Sequence, residues 1–123
     1  MDTYGKEAIL DLHNCDSDKF NRTEILIYFQ QLCEIIEMED CDYHFWDDLE
    51  TPEEEKETEP HLVGTSAIQF IKTSNITIHT LDLLKRVYVN VFSCKDFDPE
   101  VVKIFSANFF CGEVINFQII DRI

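Results

Sequence analysis

Three strand-like runs follow one another between Val63 and Phe92, and their close spacing limits what the chain can build. Val63 to Lys72 carries Ala67, Ile68, Phe70 and Ile71. Asn75 to Thr80 comes next, and Val87 to Phe92 sets Val87, Val89 and Val91 on one face. Connections this short suit antiparallel neighbours, because a parallel pair needs a long crossover.

The flanking segments extend the pattern. Ala8 to Leu12 predicts a first strand, stopped by Asn14 and Asp16, and Cys41 to Trp46 predicts another. Asn21 with Glu24 three residues later predicts a helix start, and Ile25, Tyr28, Phe29, Leu32 and Ile36 recur at helical spacing to about Met38. Asp98-Pro99 predicts a second helix, with Val101, Ile104, Phe105 and Phe109 as its apolar stripe and Gly112 as its end. Val114 to Ile120 predicts a last strand. The order β-α-β-β-β-β-α-β predicts one domain over 1–123, a two-layer α+β sandwich with a mostly antiparallel sheet and two helices on one face.

Charge is concentrated in one place. Of 25 acidic residues, eleven fall between Glu39 and Pro60, against a single base, Lys56. Asp47 to Pro60 holds two prolines and few apolar residues, so it predicts a solvated, disordered loop, inserted at about 47–60. An acidic rim for a cationic ligand is the functional alternative. The formal net charge of −15 argues against a nucleic-acid partner, since no excess of Lys or Arg is present to replace counterions. No apolar run approaches the ~20 residues of a membrane span and no secretory signal is visible at the start, so a cytoplasmic protein is expected. Cys15, Cys33, Cys41, Cys94 and Cys111 are odd in number and form no CxxC. They predict reduced, mostly buried thiols. His13, His44, His61 and His79 show no zinc spacing, so no metal is expected.

The segment from Ser66 to Cys94 holds the candidate chemistry. If the turn after Thr80 centres on Leu83-Leu84, Ser74 falls opposite Ser93 and Thr73 opposite Cys94. A hydroxyl, a thiol and the His79 imidazole would gather at one sheet end. Ser74 and His79 are an odd number apart, so a bend near Ser74 is required to bring them to one face. Taken singly, each of these residues has a plain reading as a turn, edge-strand or core residue.

Taken together, Thr73-Ser74-Asn75-Ile76-Thr77-Ile78-His79-Thr80 with Phe92-Ser93-Cys94 resembles the S-adenosylmethionine decarboxylase proenzymes of the short bacterial and archaeal type. Gly64-Thr65-Ser66-Ala67, the run from Gly5 to Asp16 and Asp98-Pro99-Glu100 support the same resemblance. It implies self-cleavage between Thr73 and Ser74 and a pyruvoyl group derived from Ser74, whose ketone forms a Schiff base with the substrate amine as CO₂ leaves. It implies that Ser66 and His79 serve processing, that Cys94 donates a proton to the product carbanion, and that Asp82 and Asp11 bind substrate. It also implies a homodimer with each site built from both protomers, acting on S-adenosylmethionine in polyamine (spermidine) synthesis. The chain departs from the family pattern at Thr73, where the family has Glu, at Asn75, where it has His, and at Leu83, the position of a ribose-binding Glu. Glu59-Pro60-His61 stands where the family has an adenine-stacking aromatic. Two other readings stay open: the same chemistry on a basic amino acid such as arginine or ornithine, and an unprocessed regulatory paralogue.

Overall fold

A computed structural model describes residues 2–123. The elements run β1 (Gly5–His13), α1 (Arg22–Ile35), β2 (Asp40–Trp46), β3 (Gly64–Ile71), β4 (Ser74–Leu81), β5 (Arg86–Ser93), α2 (Pro99–Phe110) and β6 (Glu113–Arg122). Short 3₁₀ turns occupy Ser17–Lys19 and Glu53–Glu55. One six-stranded sheet has the order β2-β3-β4-β5-β1-β6, and every pair is antiparallel. This is the α+β sandwich the sequence predicts. Among the described residues no helix is long and apolar enough to cross a membrane.

Strand alternation divides the sheet into two faces. Ala8, Leu10 and Leu12 of β1, Val87, Val89 and Val91 of β5, and Ile76, Ile78 and Thr80 of β4 are buried beneath the helices. The opposite face carries Ser66, His79, Tyr88 and Asp11 in one cross-strand row, and Ile68, Thr77, Asn90 and Ile9 in the next.

Both helix starts form as the sequence predicts. Asn21 Oδ1 accepts from Glu24 N–H at 2.9 Å, and Asp98 Oδ1 accepts from Glu100 N–H at 3.0 Å. The helix ends differ from expectation. α1 stops at Ile35, with Glu37 in the left-handed region (φ 58°), and Met38 is a buried residue beyond it. At the end of α2 the left-handed position is Cys111 (φ 52°), not Gly112. Gly112 is needed for a different reason: a Cβ there would meet Cys15 Sγ at 2.6 Å. The buried face of α2 is also rotated from the expected stripe. Val102, Ser106 and Phe110 are buried, while Ile104 is 56% exposed. Tyr28 sets that face, since its hydroxyl is 2.7 Å from Ser106 Oγ and its ring stacks on Phe105.

The acidic segment is not simply solvated. Arg22 grips Asp47 with two hydrogen bonds, at 2.8 and 2.9 Å. Asp48 accepts from Glu57 N–H at 2.8 Å and from Thr51 Oγ1 at 3.3 Å. These contacts fold the segment back over the N-terminus of α1, while Glu53, Glu54, Glu55 and Glu59 stay exposed.

Candidate active site

The β3–β4 hairpin turns through only Lys72 and Thr73, since Ile71 pairs directly with Ser74. Two-residue hairpins favour Gly or Asn, because the turns that match strand twist need positive φ at their central residues. Neither central residue here is Gly or Asn, and neither has positive φ. The mismatch falls on Ser74 instead, at φ 157°.

Around that turn the β4–β5 register sets the chemistry. Ser74 pairs with Ser93, as the sequence predicts, and the next residues meet through Cys94 N–H, which donates to the Thr73 carbonyl at 3.2 Å. Ser74 Oγ accepts from Asn75 Nδ2 at 3.2 Å. Thr73 Oγ1 is 2.7 Å from Ser93 Oγ. The thiol of Cys94 is exposed. β1 comes close here: a Cβ on Gly5 would fall 2.2 Å from the Ser93 carbonyl oxygen and 2.7 Å from Cys94 Cα, so only glycine fits. Tyr4, just before Gly5, has its ring 6.2 Å from that of Phe92. Its hydroxyl is held above the usual range for tyrosine, chiefly by the neighbouring Cys94 thiol.

Of the five cysteines, only Cys15 and Cys33 are buried. Burial pushes both thiols up to about 11, which keeps them protonated and inert at neutral pH. Cys41, Cys94 and Cys111 are exposed, so the expectation of mostly buried thiols is wrong: they lie on edges and turns that no second layer covers.

Ser66 and His79 form a second cluster. They are paired in the β3–β4 ladder, and Ser66 Oγ is 2.6 Å from His79 Nδ1. Trp46 stands opposite Ser66 in the β2–β3 ladder and is 77% exposed. A cavity of about 320 Å³ lies beside the pair, lined by Trp46, His61, Ser66, His79 and the inner edge of the acidic segment. Tyr88 is opposite His79, and Asp11, opposite Tyr88, accepts from Asn116 Nδ2 at 3.2 Å.

The two clusters do not meet within one chain. His79 is five residues from Ser74 on the same strand, about 17 Å at β rise, and alternation puts it on the other face. The bend that would bring them to one face is absent, because β4 pairs without a break from Ser74 to Leu81. Thr73, Ser74, Ser93 and Cys94 thus gather at one sheet end, and the imidazole does not join them.

Asp82 stands apart from both. It lines a larger cavity of about 520 Å³ on the helix side, with Phe20, Arg22, Asp47, Leu49 and Lys56. Its Oδ1 is buried without a hydrogen-bond partner, and burial holds the carboxyl above its ordinary range. Gly64 and Thr65 line both cavities, so the two are neighbours across one strand. Leu83 is 60% exposed and faces neither. Among the described residues no three His, Cys, Asp or Glu side chains are grouped to hold a metal ion.

Sequence reasoning passed over Tyr4 and Trp46. Gly5 was the available signal for the first, since a glycine opening a strand marks a close approach. For Trp46 no signal existed before the β2–β3 register was known.

Residues 6–123 match the family model described as S-adenosylmethionine decarboxylase. No curated protein matches the chain in sequence. Among solved structures, the adenosylmethionine decarboxylase from Aquifex aeolicus VF5 superimposes with a TM-score of 0.76 at 19% identity, covering 99% of this chain and 92% of that one. At that identity the likeness shows the fold. The family match spans nearly the whole sequence, and the chain belongs to the S-adenosylmethionine decarboxylase family.

Proposed function

We propose that this member of the family cuts itself between Thr73 and Ser74 and then decarboxylates S-adenosylmethionine, supplying aminopropyl groups for spermidine synthesis. The observation that carries the reading is the turn itself: the Thr73 carbonyl is polarised by Cys94 N–H and directly precedes a serine at φ 157°. A donor aimed at a carbonyl oxygen is what an oxyanion forming there requires.

The cut proceeds in balanced steps. Ser74 Oγ–H adds to the Thr73 carbonyl, and the Thr73–Ser74 C–N bond breaks to leave an ester and a free Ser74 amine. Loss of the Ser74 Cα proton then expels Thr73 as a carboxylate. The resulting enamine tautomerises to an imine, water hydrolyses it, and ammonia leaves. Residues 1–73 form one chain and residues 74–123, opening with a pyruvoyl group, form the other. That group supplies an electrophilic ketone that draws electrons from the substrate as CO₂ departs.

The residues around the turn fit such a group. In this reading the Cys94 thiol, which is exposed, hands a proton to the product, and Cys94 N–H stays a donor for an oxygen at position 73. Ser66 and His79 serve the oxyanion and the Cα proton, and they come from a second copy of the chain. The distance between the clusters supports that arrangement, because one chain cannot supply both to one site. Ile9, Ile68, Tyr88 and Phe92 on the uncovered sheet face give a second copy apolar surface to pack on.

Co-refolding two dead variants tests this. Ser74→Ala and His79→Ala each stay uncut alone. Mixed, they form one intact composite site per heterodimer, and part of the His79→Ala chain is cut. A mixture as inert as its components contradicts the shared site.

A further inference from the structure

Ser93 is fully buried at the end of β5, yet its side chain is polar. Its oxygen accepts from Lys95 N–H at 3.0 Å, is 2.7 Å from Thr73 Oγ1 and is 3.6 Å from Met38 Sδ. Thr73 Oγ1 is 3.5 Å from the same sulfur. The hydrogen accounting closes whichever hydroxyl donates. One proton joins the two oxygens, and the other points at Met38 Sδ, a weak acceptor.

The last residue of β5, Ser93, and the residue just beyond it, Cys94, therefore hold Thr73 twice. Ser93 takes its hydroxyl, and the Cys94 N–H takes its carbonyl. Ser74, next in the chain, is paired with Ser93 in the ladder. A two-residue turn without Gly or Asn has no intrinsic preference for this geometry, so the grip on Thr73 must come from outside the turn. A Val at position 93 would cover the same area and leave Lys95 N–H and Thr73 Oγ1 without this partner.

We propose that Ser93 is the positioning residue for self-cleavage: through Thr73 Oγ1 it keeps the Thr73 carbonyl on Cys94 N–H and within reach of Ser74 Oγ. Ser93 makes and breaks no covalent bond. It acts on the rate of the acyl shift by holding the bond that reacts. The inference rests on the self-cleavage reading above.

The test follows the cut by intact mass against time in the full-length chain, for wild type, Ser93→Ala, Thr73→Val, Thr73→Ser and the Ser93→Ala/Thr73→Val double variant. Thermal melting is measured beside it. Hydroxylamine, which cleaves an ester faster than an amide, reads how much chain has undergone the shift. Ser93→Ala and Thr73→Val should each slow the cut by about tenfold or more, as expected when one positioning hydrogen bond is lost. The hydroxylamine-sensitive fraction should fall with the rate. Thr73→Ser, which keeps the hydroxyl, should stay within about threefold of wild type, and the double variant should be no slower than the slower single one. If Ser93→Ala fails to fold, Thr73→Val against Thr73→Ser carries the same comparison. A folded Ser93→Ala chain cut at the wild-type rate, or a Thr73→Val chain indistinguishable from Thr73→Ser, overturns the inference while the cleavage reading stands. A wild-type chain that never cuts overturns both.

Discussion

The Thr73–Ser74 turn and the Ser66–His79 pair share one hairpin but are built in opposite ways. Ser66 and His79 occupy regular ladder positions, and their side chains meet because cross-strand partners must lie on the same face. At the turn the backbone is the positioned part: the Thr73 carbonyl is aimed at Cys94 N–H, and Ser74 takes up the twist the turn cannot. A ladder can place a base or a donor. Only an irregular segment, braced from a neighbouring strand, presents a peptide bond for attack. The two halves are therefore expected to fail differently.

The largest effect should come from the ladder pair. His79→Ala should slow self-cleavage by about 10²–10⁴, the usual range for loss of an acid–base group. Melting should hardly change, since His79 is exposed. Cleavage at the wild-type rate would reduce the pair to an ordinary cross-strand contact.

Next comes Cys94, which sharpens the contrast because only its amide belongs to the turn. Cys94→Ala keeps that N–H, so the cut should persist while decarboxylation drops by about 10²–10⁴. Equal turnover in variant and wild type would return the thiol to a packing role.

Two carboxylates in the helix-side cavity give smaller, opposite effects. Asp82 has a raised folded pKa, so its ionisation costs stability as pH climbs from the unfolded value, near 3.8, through the raised one. Asp82→Asn should melt higher than wild type at neutral pH and lose that advantage in acid. Asp82 lines the neighbouring cavity and not the one that holds Ser66 and His79, so the KM for S-adenosylmethionine should stay within about threefold, less than the loss of a charged partner produces. A KM raised tenfold would instead support the substrate-binding role that the resemblance implies for Asp82. Asp47 behaves in reverse. Arg22 holds its carboxyl below the usual range, so its contribution is present above the unfolded pKa and vanishes as pH falls through the folded one. Arg22→Ala should lower the melting temperature at pH 7, because Asp47, 10% exposed, loses its partner, and the difference should shrink in acid.

Least affected should be a chain lacking Asp48 to Glu57. Loop closure changes by a fraction of a kcal/mol up to about one, and the cut should proceed. If the segment steers a cationic substrate, kcat/KM falls and loses its salt dependence. Equal salt dependence in both proteins rejects steering.

What the sequence disclosed follows the same division. The Ser74–Ser93 register was legible because a short turn fixes which residues oppose each other, and the buried stripe of α1 from Ile25 to Leu32 because large apolar residues repeat there. The face of α2 was misread at Ile104, since the position that decides it is Ser106, a polar residue buried only because Tyr28 bonds it. The acidic segment was misread because its fold depends on Arg22, 25 residues before Asp47. His79 was expected beside Ser74, although the alternation of β4 already placed it on the other face. In the proposed function a second chain, which no pattern within one sequence displays, brings them together.

The central claim, that the braced turn breaks its own backbone, is tested most directly by the intact mass of freshly purified wild-type protein under denaturing conditions. Two chains should be found, ending at Thr73 and beginning at position 74. The second should be lighter, by the difference a ketone in place of the Ser74 amino and hydroxyl groups makes, than a fragment that starts with serine. A single full-length mass after prolonged incubation would contradict the account.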